Sequence, residues 1–138
     1  MTRRITIVPP DASFNFVLPV QPFGREIICV CLEVEVAVNE TFQPRLEIRD
    51  RSDNLLFASQ CLNEITGAES AIAVFGPSFP MVNSTANTPF FLAIPIPAGL
   101  QLPPVGQLTV FTGVGVGSNI RQMALETIDE EHDLPDAA

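Results

Sequence analysis

Lysine, tryptophan and tyrosine are missing altogether from the 138 residues, histidine occurs once and cysteine three times. Without lysine there is no P-loop and no Schiff-base chemistry. Seven arginines against 16 acidic residues leave a formal charge of −9, the wrong sign for a protein that grips a nucleic-acid backbone. The single histidine, His132, lies in an acidic stretch with little to hold it as the base of a serine or cysteine triad. Three cysteines, Cys29, Cys31 and Cys61, are too few and odd in number for a disulfide framework, which points to a reducing compartment. No run approaches the ~18 apolar residues of a membrane span. Met1 to Val8 carries Arg3 and Arg4 but only a short apolar stretch before Pro9 and Pro10, so the chain is expected to be soluble and to lack a signal peptide.

What the chain does have is apolar material. Val, Ile, Leu and Phe account for 46 of 138 residues, well above the ~20% that marks disordered chains. Charged residues make up only 17%, against ~25% in an average domain, so some of the apolar excess is expected to face a partner. Thirteen prolines and eight glycines leave no window for a long amphipathic helix, and what lies between them alternates with period two.

The strongest alternation runs from Glu26 to Val38. Ile28, Val30, Leu32, Val34, Val36 and Val38 fall on one face, and Ile27, Cys29, Cys31, Glu33, Glu35 and Ala37 on the other. Further strands are predicted at Ile5 to Val8, Ser13 to Leu18, Arg45 to Arg51 (Leu46 and Ile48 inward), Leu55 to Ser59, Ser70 to Phe75, Phe90 to Ile94, Gln107 to Thr112 and Arg121 to Ile128. About nine short strands joined by turns specify an all-β fold, a single antiparallel β-sandwich or jelly-roll-like domain over residues 1–128. Phe75 to Pro89 and Pro95 to Pro104 read as long Pro-rich loops, the second at a sheet edge, and 129–138 as an acidic C-terminal tail.

Candidate chemistry is sparse. Cys29, Cys31, Cys61 and His132 supply the ligand types of a zinc site. However, a C-x-C pair inside a strand points both sulfurs from one sheet face about 7 Å apart, unlike a zinc knuckle, and the cysteines read better as small hydrophobes. Asp50, Asp53 and Asn54 lack the length and terminal glutamate of a calcium loop and read as a turn. Gly113, Gly115 and Gly117 lack the third glycine and following helix of a dinucleotide fingerprint. Gly113 to Asn119 is therefore predicted to be the connection of a hairpin between the last two strands. No catalytic, cofactor or metal site is expected, and the chain is not expected to be an enzyme. Glu33 and Glu35 read as a solvated face, paired with Arg45 and Arg49 across strands. Along Ile27 to Leu32 both faces are apolar, which predicts cover from above as well as below, by a loop of the same chain or, preferentially, by another subunit. Ile27, Cys29 and Cys31 are the predicted subunit-contact residues of a dimer or trimer.

In strand order the chain resembles small β-sandwich virion proteins of tailed bacteriophages. The residues that carry this are Val8-Pro9-Pro10-Asp11-Ala12-Ser13-Phe14-Asn15-Phe16, the run from Arg45 through Asp50-Arg51-Ser52-Asp53-Asn54 to Phe57, Phe75-Gly76-Pro77, and Ile96-Pro97-Ala98-Gly99-Leu100-Gln101-Leu102. Those proteins often close on an aromatic soon after the last strand, whereas here an acidic tail follows Glu126-Thr127-Ile128. The resemblance implies a virion structural protein on the capsid surface, made in the host cytoplasm. It would be a cement or decoration protein contacting the major capsid protein or another virion protein, with no nucleic-acid or membrane partner. A neck, tail or fibre component, including a receptor- or glycan-binding sandwich, is the alternative, weakened by the lack of Trp and Tyr. On this reading Arg3, Arg4, Phe79, Met81, Leu100, Leu102, Asp129 and Glu130 are the expected lattice contacts.

Overall fold

The computed structural model describes residues 2–60, 65–66, 69–76, 90–115 and 117–130. They form twelve strands: β1 (Thr2–Val8), β2 (Phe16–Val17), β3 (Arg25–Val36), β4 (Thr41–Phe42), β5 (Arg45–Arg49), β6 (Leu55–Gln60), β7 (Ile65–Thr66), β8 (Glu69–Gly76), β9 (Phe90–Pro95), β10 (Leu100–Leu102), β11 (Gln107–Phe111) and β12 (Asn119–Asp129). The pairing is nested, early strands with late ones: β1 with β12, β2 with β11, β3 with β8 and β5 with β6, all antiparallel. The pairs β12–β3 and β11–β5 then join these into two sheets, β1-β12-β3-β8-β9 with β10 beside β3, and β2-β11-β5-β6. This winding is the jelly roll. Phe16, Leu46, Ile48, Leu108 and Val110 of the smaller sheet meet Val30, Leu32, Val34, Phe75, Met123 and Leu125 of the larger in one buried core.

The all-β sandwich follows from period-two alternation, and most predicted strands lie within a residue or two of the observed ones. Four local expectations are overturned. First, the face assignment of the central strand fails at its start. The register of β3 on β12 slips between Cys29, opposite Glu126, and Ile27, opposite Thr127. A bulge at Ile28 and Cys29 reverses the alternation. Ile27, 1% exposed, therefore lies in the core, and Ile28 does not. At the other end the strand stops at Val36, and Val38 is 71% exposed instead of inward-facing.

Second, Ser13 to Leu18 contributes only the two residues of β2. Asp11 accepts the backbone N–H groups of Ser13 (2.8 Å) and Asn15 (3.0 Å) and closes a tight turn with Phe14 at φ 62°. Third, Gly113 to Asn119 is no hairpin, since β11 and β12 lie in different sheets and the segment crosses between them. Fourth, β8 and β9 pair in parallel, the one departure from antiparallel pairing among the described strands.

Within the Pro95 to Pro104 segment, expected as a loop, Leu100–Leu102 form β10 and pair with Arg25–Ile27 of β3. It ends in a turn where Gly106 donates to Pro103 O (2.9 Å) and Val105 donates to Gln21 O (2.8 Å). Gly106 is required, because a Cβ there would sit 2.8 Å from Pro103 O. Val105 occupies the left-handed region at φ 58°, a costly conformation for a β-branched residue.

Val105 is 41% exposed, so Val105→Gly gives up little burial and relieves the strain. It is expected to raise stability by about 0.5–1 kcal/mol, read as a higher melting temperature; an unchanged or lower one refutes the strain. Val30 is fully buried, and Val30→Asp places an unpaired carboxyl in the core. Loss of the cooperative unfolding transition is the expected outcome.

Candidate functional site

Several chemistry-bearing side chains of the described residues are used structurally. At one end of the sandwich Asp129, expected in a solvated tail, is instead the last residue of β12 and buried. It accepts from Thr127 Oγ1 (2.6 Å) and pairs with Arg4 Nε at 3.4 Å. Beside it the buried Arg25 donates to Pro19 O (3.0 Å) and lies 5.5 Å over the Phe23 ring. Arg4, Arg25 and Asp129 line a cavity of about 90 Å³ with Thr6, Leu18, Pro19 and Gln21. A second, more open depression of about 250 Å³ lies among Val20, Asp50, Arg51, Asp53, Val105 and Gln107. The ionisable lining residues are Arg4, Arg25 and Asp129 in the first and Asp50, Arg51 and Asp53 in the second.

On the smaller sheet Glu47, predicted outward, is 9% exposed and held between two arginines of its own strand. Arg45 Nε donates to Oε2 at 2.7 Å and Arg49 Nη2 to Oε1 at 3.0 Å. Arg45 and Arg49 thus serve Glu47, not Glu33 and Glu35 as expected. Their hydrogen bonds, Arg45's first, hold the Glu47 carboxyl below its ordinary range.

The glycine-rich segment near 113–117 does cradle an anion, but one of its own chain. Glu40 accepts from the backbone N–H of Gly117 (3.0 Å) and from the Ser118 hydroxyl, and these contacts, the hydroxyl foremost, lower its pKa. A Cβ on Gly115 would meet Glu40 Oε2 at 2.7 Å.

Asp50 closes its turn by accepting from Ser52 N and Asn54 N, both at 2.9 Å, with Asp53 at φ 66°. Asp11-Ala12-Ser13-Phe14-Asn15 makes the same turn. The repeated D-x-S-x-N is the sequence signal that would have found the first turn from the second.

The outer face of the larger sheet is different, because around β1, β12 and the middle of β3 it presents apolar side chains, bordered by the exposed Glu33 and Glu35 further along β3. Cross-strand neighbours Ile7, Ala124, Cys31 and Val74 make one row, and Ile5, Glu126 and Cys29 the next. Ile5 and Ile7 are 71% and 58% exposed, Cys29, Cys31 and Ala124 half-buried, and Val74 buried. Burial raises both thiol pKa values, helped by Glu126 at Cys29 and by Cys29 and Glu33 at Cys31, so both stay protonated at neutral pH and act as apolar surface. No metal-ligand cluster occurs among the described residues.

Of the predicted contact residues, Cys29, Cys31, Arg3 and Arg4 share the β1–β12–β3 part of this sheet. Arg3 is paired with Glu126 at 2.7 Å. Ile27 is turned into the core by the bulge. Leu102 is likewise buried in β10 and Asp129 is buried in its ion pair, so neither points outward as expected, while Leu100 is half-buried and packs against the core. Glu130 is exposed, its N–H bonded to Gly24 O at 3.0 Å. Phe79, Met81, Cys61 and His132 lie outside the described residues. Nothing in the sequence of β1 marks Ile5 and Ile7 as part of a surface, because only the pairing with β12 sets them beside Ala124 and Cys31.

No family model and no curated protein matches the chain. Solved structures with a similar arrangement include a chain of the T13 particle of infectious bursal disease virus, at 12% identity and a TM-score of 0.43. Another is a chain of the Gt strain of that virus, at 12% identity and 0.39. Each match covers 93% of this chain but only 31% and 33% of the neighbour, so the chain spans about a third of their length.

Glu47 generates a testable expectation. Its lowered pKa means that its stabilisation is complete above the ordinary value of 4.5 and is lost as pH falls through the folded value. Glu47→Gln should cost about 1–2 kcal/mol at neutral pH, with the gap from the parent protein closing below pH 4.5 in thermal melts taken across that range.

Proposed function

We propose that the chain is a structural protein of a virus particle, a capsid cement or decoration protein whose work is done by surfaces and not by a reactive centre. The observation that carries this reading is the apolar outer face built from Ile5, Ile7, Ala124 and Cys31 on a rigid jelly roll. An acidic, otherwise soluble domain has reason to expose such a face when a neighbour covers it. The jelly-roll winding supports it by fold-level analogy, since that architecture recurs in viral capsids, though in lectins too. Composition favours the former, because the chain has no Trp or Tyr to make a sugar platform. The likeness to small virion proteins of tailed phages makes the major capsid protein the proposed neighbour. The open ends of the sandwich, with Arg3 and Glu130, are the proposed polar contacts.

Quantitative mass spectrometry of purified particles tests this. A copy number comparable to that of the shell protein is expected. A ring's worth of copies would move the protein to the neck or tail, and absence from particles would refute the structural role.

A further inference from the structure

Strand β1 is an edge strand, pairing with β12 on one side and with no other described strand on its second. Sheet edges are normally blunted by proline, lysine, a bulge or very short length. The other described edges show such devices. β2 has two residues, and β9 ends in Pro95. β6 carries a register shift opposite Ile48 and Arg49, and its Ser59 hydroxyl is bonded to Pro95 O at 3.0 Å. β1 has none of them: seven residues, no proline, and an uninterrupted register from Thr2 to Val8. Its two arginines do not guard the edge either. Arg3 is drawn to Glu126 at 2.7 Å and Arg4 to Asp129 at 3.4 Å, both acids of the neighbouring strand β12. What remains is a strand carrying the most exposed isoleucine pair, Ile5 and Ile7, on one face.

We infer that β1 pairs antiparallel with β1 of a second copy of this chain, about a two-fold axis at Ile5, joining two larger sheets into one. The partner is a second copy because the strand is complementary to itself in one register. Keeping the outer faces of both sheets on the same side requires odd residues opposite odd ones. Centring on Arg4 would set two arginines directly opposite, and centring on Thr6 would leave Thr2 and Arg3 beyond the overlap. Centring on Ile5 pairs all seven residues: Ile5 with Ile5, Arg3 with Ile7, Arg4 with Thr6 and Thr2 with Val8. No like charges then oppose each other, and four isoleucines merge into one cross-strand cluster. Glu126 and Asp129 leave the seam locally neutral although each chain carries a net charge of −9. This names the first neighbour in the assembly reading above and deepens it, but the pairing stands or falls in solution.

The full chain examined by sedimentation equilibrium should give a dimer that dissociates on dilution. A monomer at high micromolar concentration overturns the pairing. Ile5→Lys with Ile7→Lys, both on exposed positions, should keep the melting temperature of the dilute monomer and weaken the dimer at least about tenfold by setting ammonium groups against each other. An undiminished dimer overturns it. For the register, Ile5→Cys in a chain with Cys29, Cys31 and Cys61 changed to Ala should form a disulfide-linked dimer under mild oxidation, its opposed Cβ atoms being about 5 Å apart. Val38→Cys, on an equally exposed position, should not. Equal crosslinking at both positions, or none at Ile5, refutes the two-fold. A monomer found abundantly in particles would remove this pairing alone, while a dimer absent from particles would remove the virion role alone.

Discussion

The central strand β3 can serve one core only if its apolar residues stay on one side, and the bulge at Ile28 and Cys29 determines where that side changes. Beyond the bulge Val30, Leu32, Val34 and Val36 face inward, while before it Ile27 and Arg25 do. Had the alternation run unbroken, Ile28 would enter the core and Ile27 would leave it, and Arg25 would lose the buried place where it packs on Phe23 beside Asp129. Both neighbours depend on this. β12 runs straight past the extra residue, with Glu126 opposite Cys29 and Thr127 opposite Ile27, and β10 docks on the shifted segment Arg25–Ile27.

The sandwich itself was legible because alternation is a direct imprint of one wet and one dry face. Leu46 and Ile48 are placed inward by pattern alone, and both are buried. What pattern could not supply was any feature set by pairing. A bulge depends on the opposing strand, and nothing in Ile-Ile-Cys-Val marks it. Glu47 reads as solvent-facing until Arg45 and Arg49 close over it. Asp129 looked like the start of a tail because it begins an acidic run, but Arg4, over a hundred residues away in sequence, holds it inside the last strand. The candidate surface was legible in part. Cys29 and Cys31 were placed on the outer face by parity, whereas Ile5 and Ile7 join them only through β12.

The proposed assembly role draws on the same distribution of side chains. The described carboxylates at Glu40, Glu47, Asp50 and Asp129 are each committed to a loop, a strand or a turn, and the described thiols are held protonated.

The nested winding has a consequence for how the polypeptide acquires its shape. β1 is the first strand and β12 the last, yet they are bonded along seven residues. Closing that ladder requires a loop of more than a hundred residues, the slowest kind of contact for a folding chain. Until it closes, the aliphatic leading strand has both rims open. During synthesis that interval ends only after the final strand has left the ribosome, so the nascent protein passes through a stage at which premature sticking is the principal hazard.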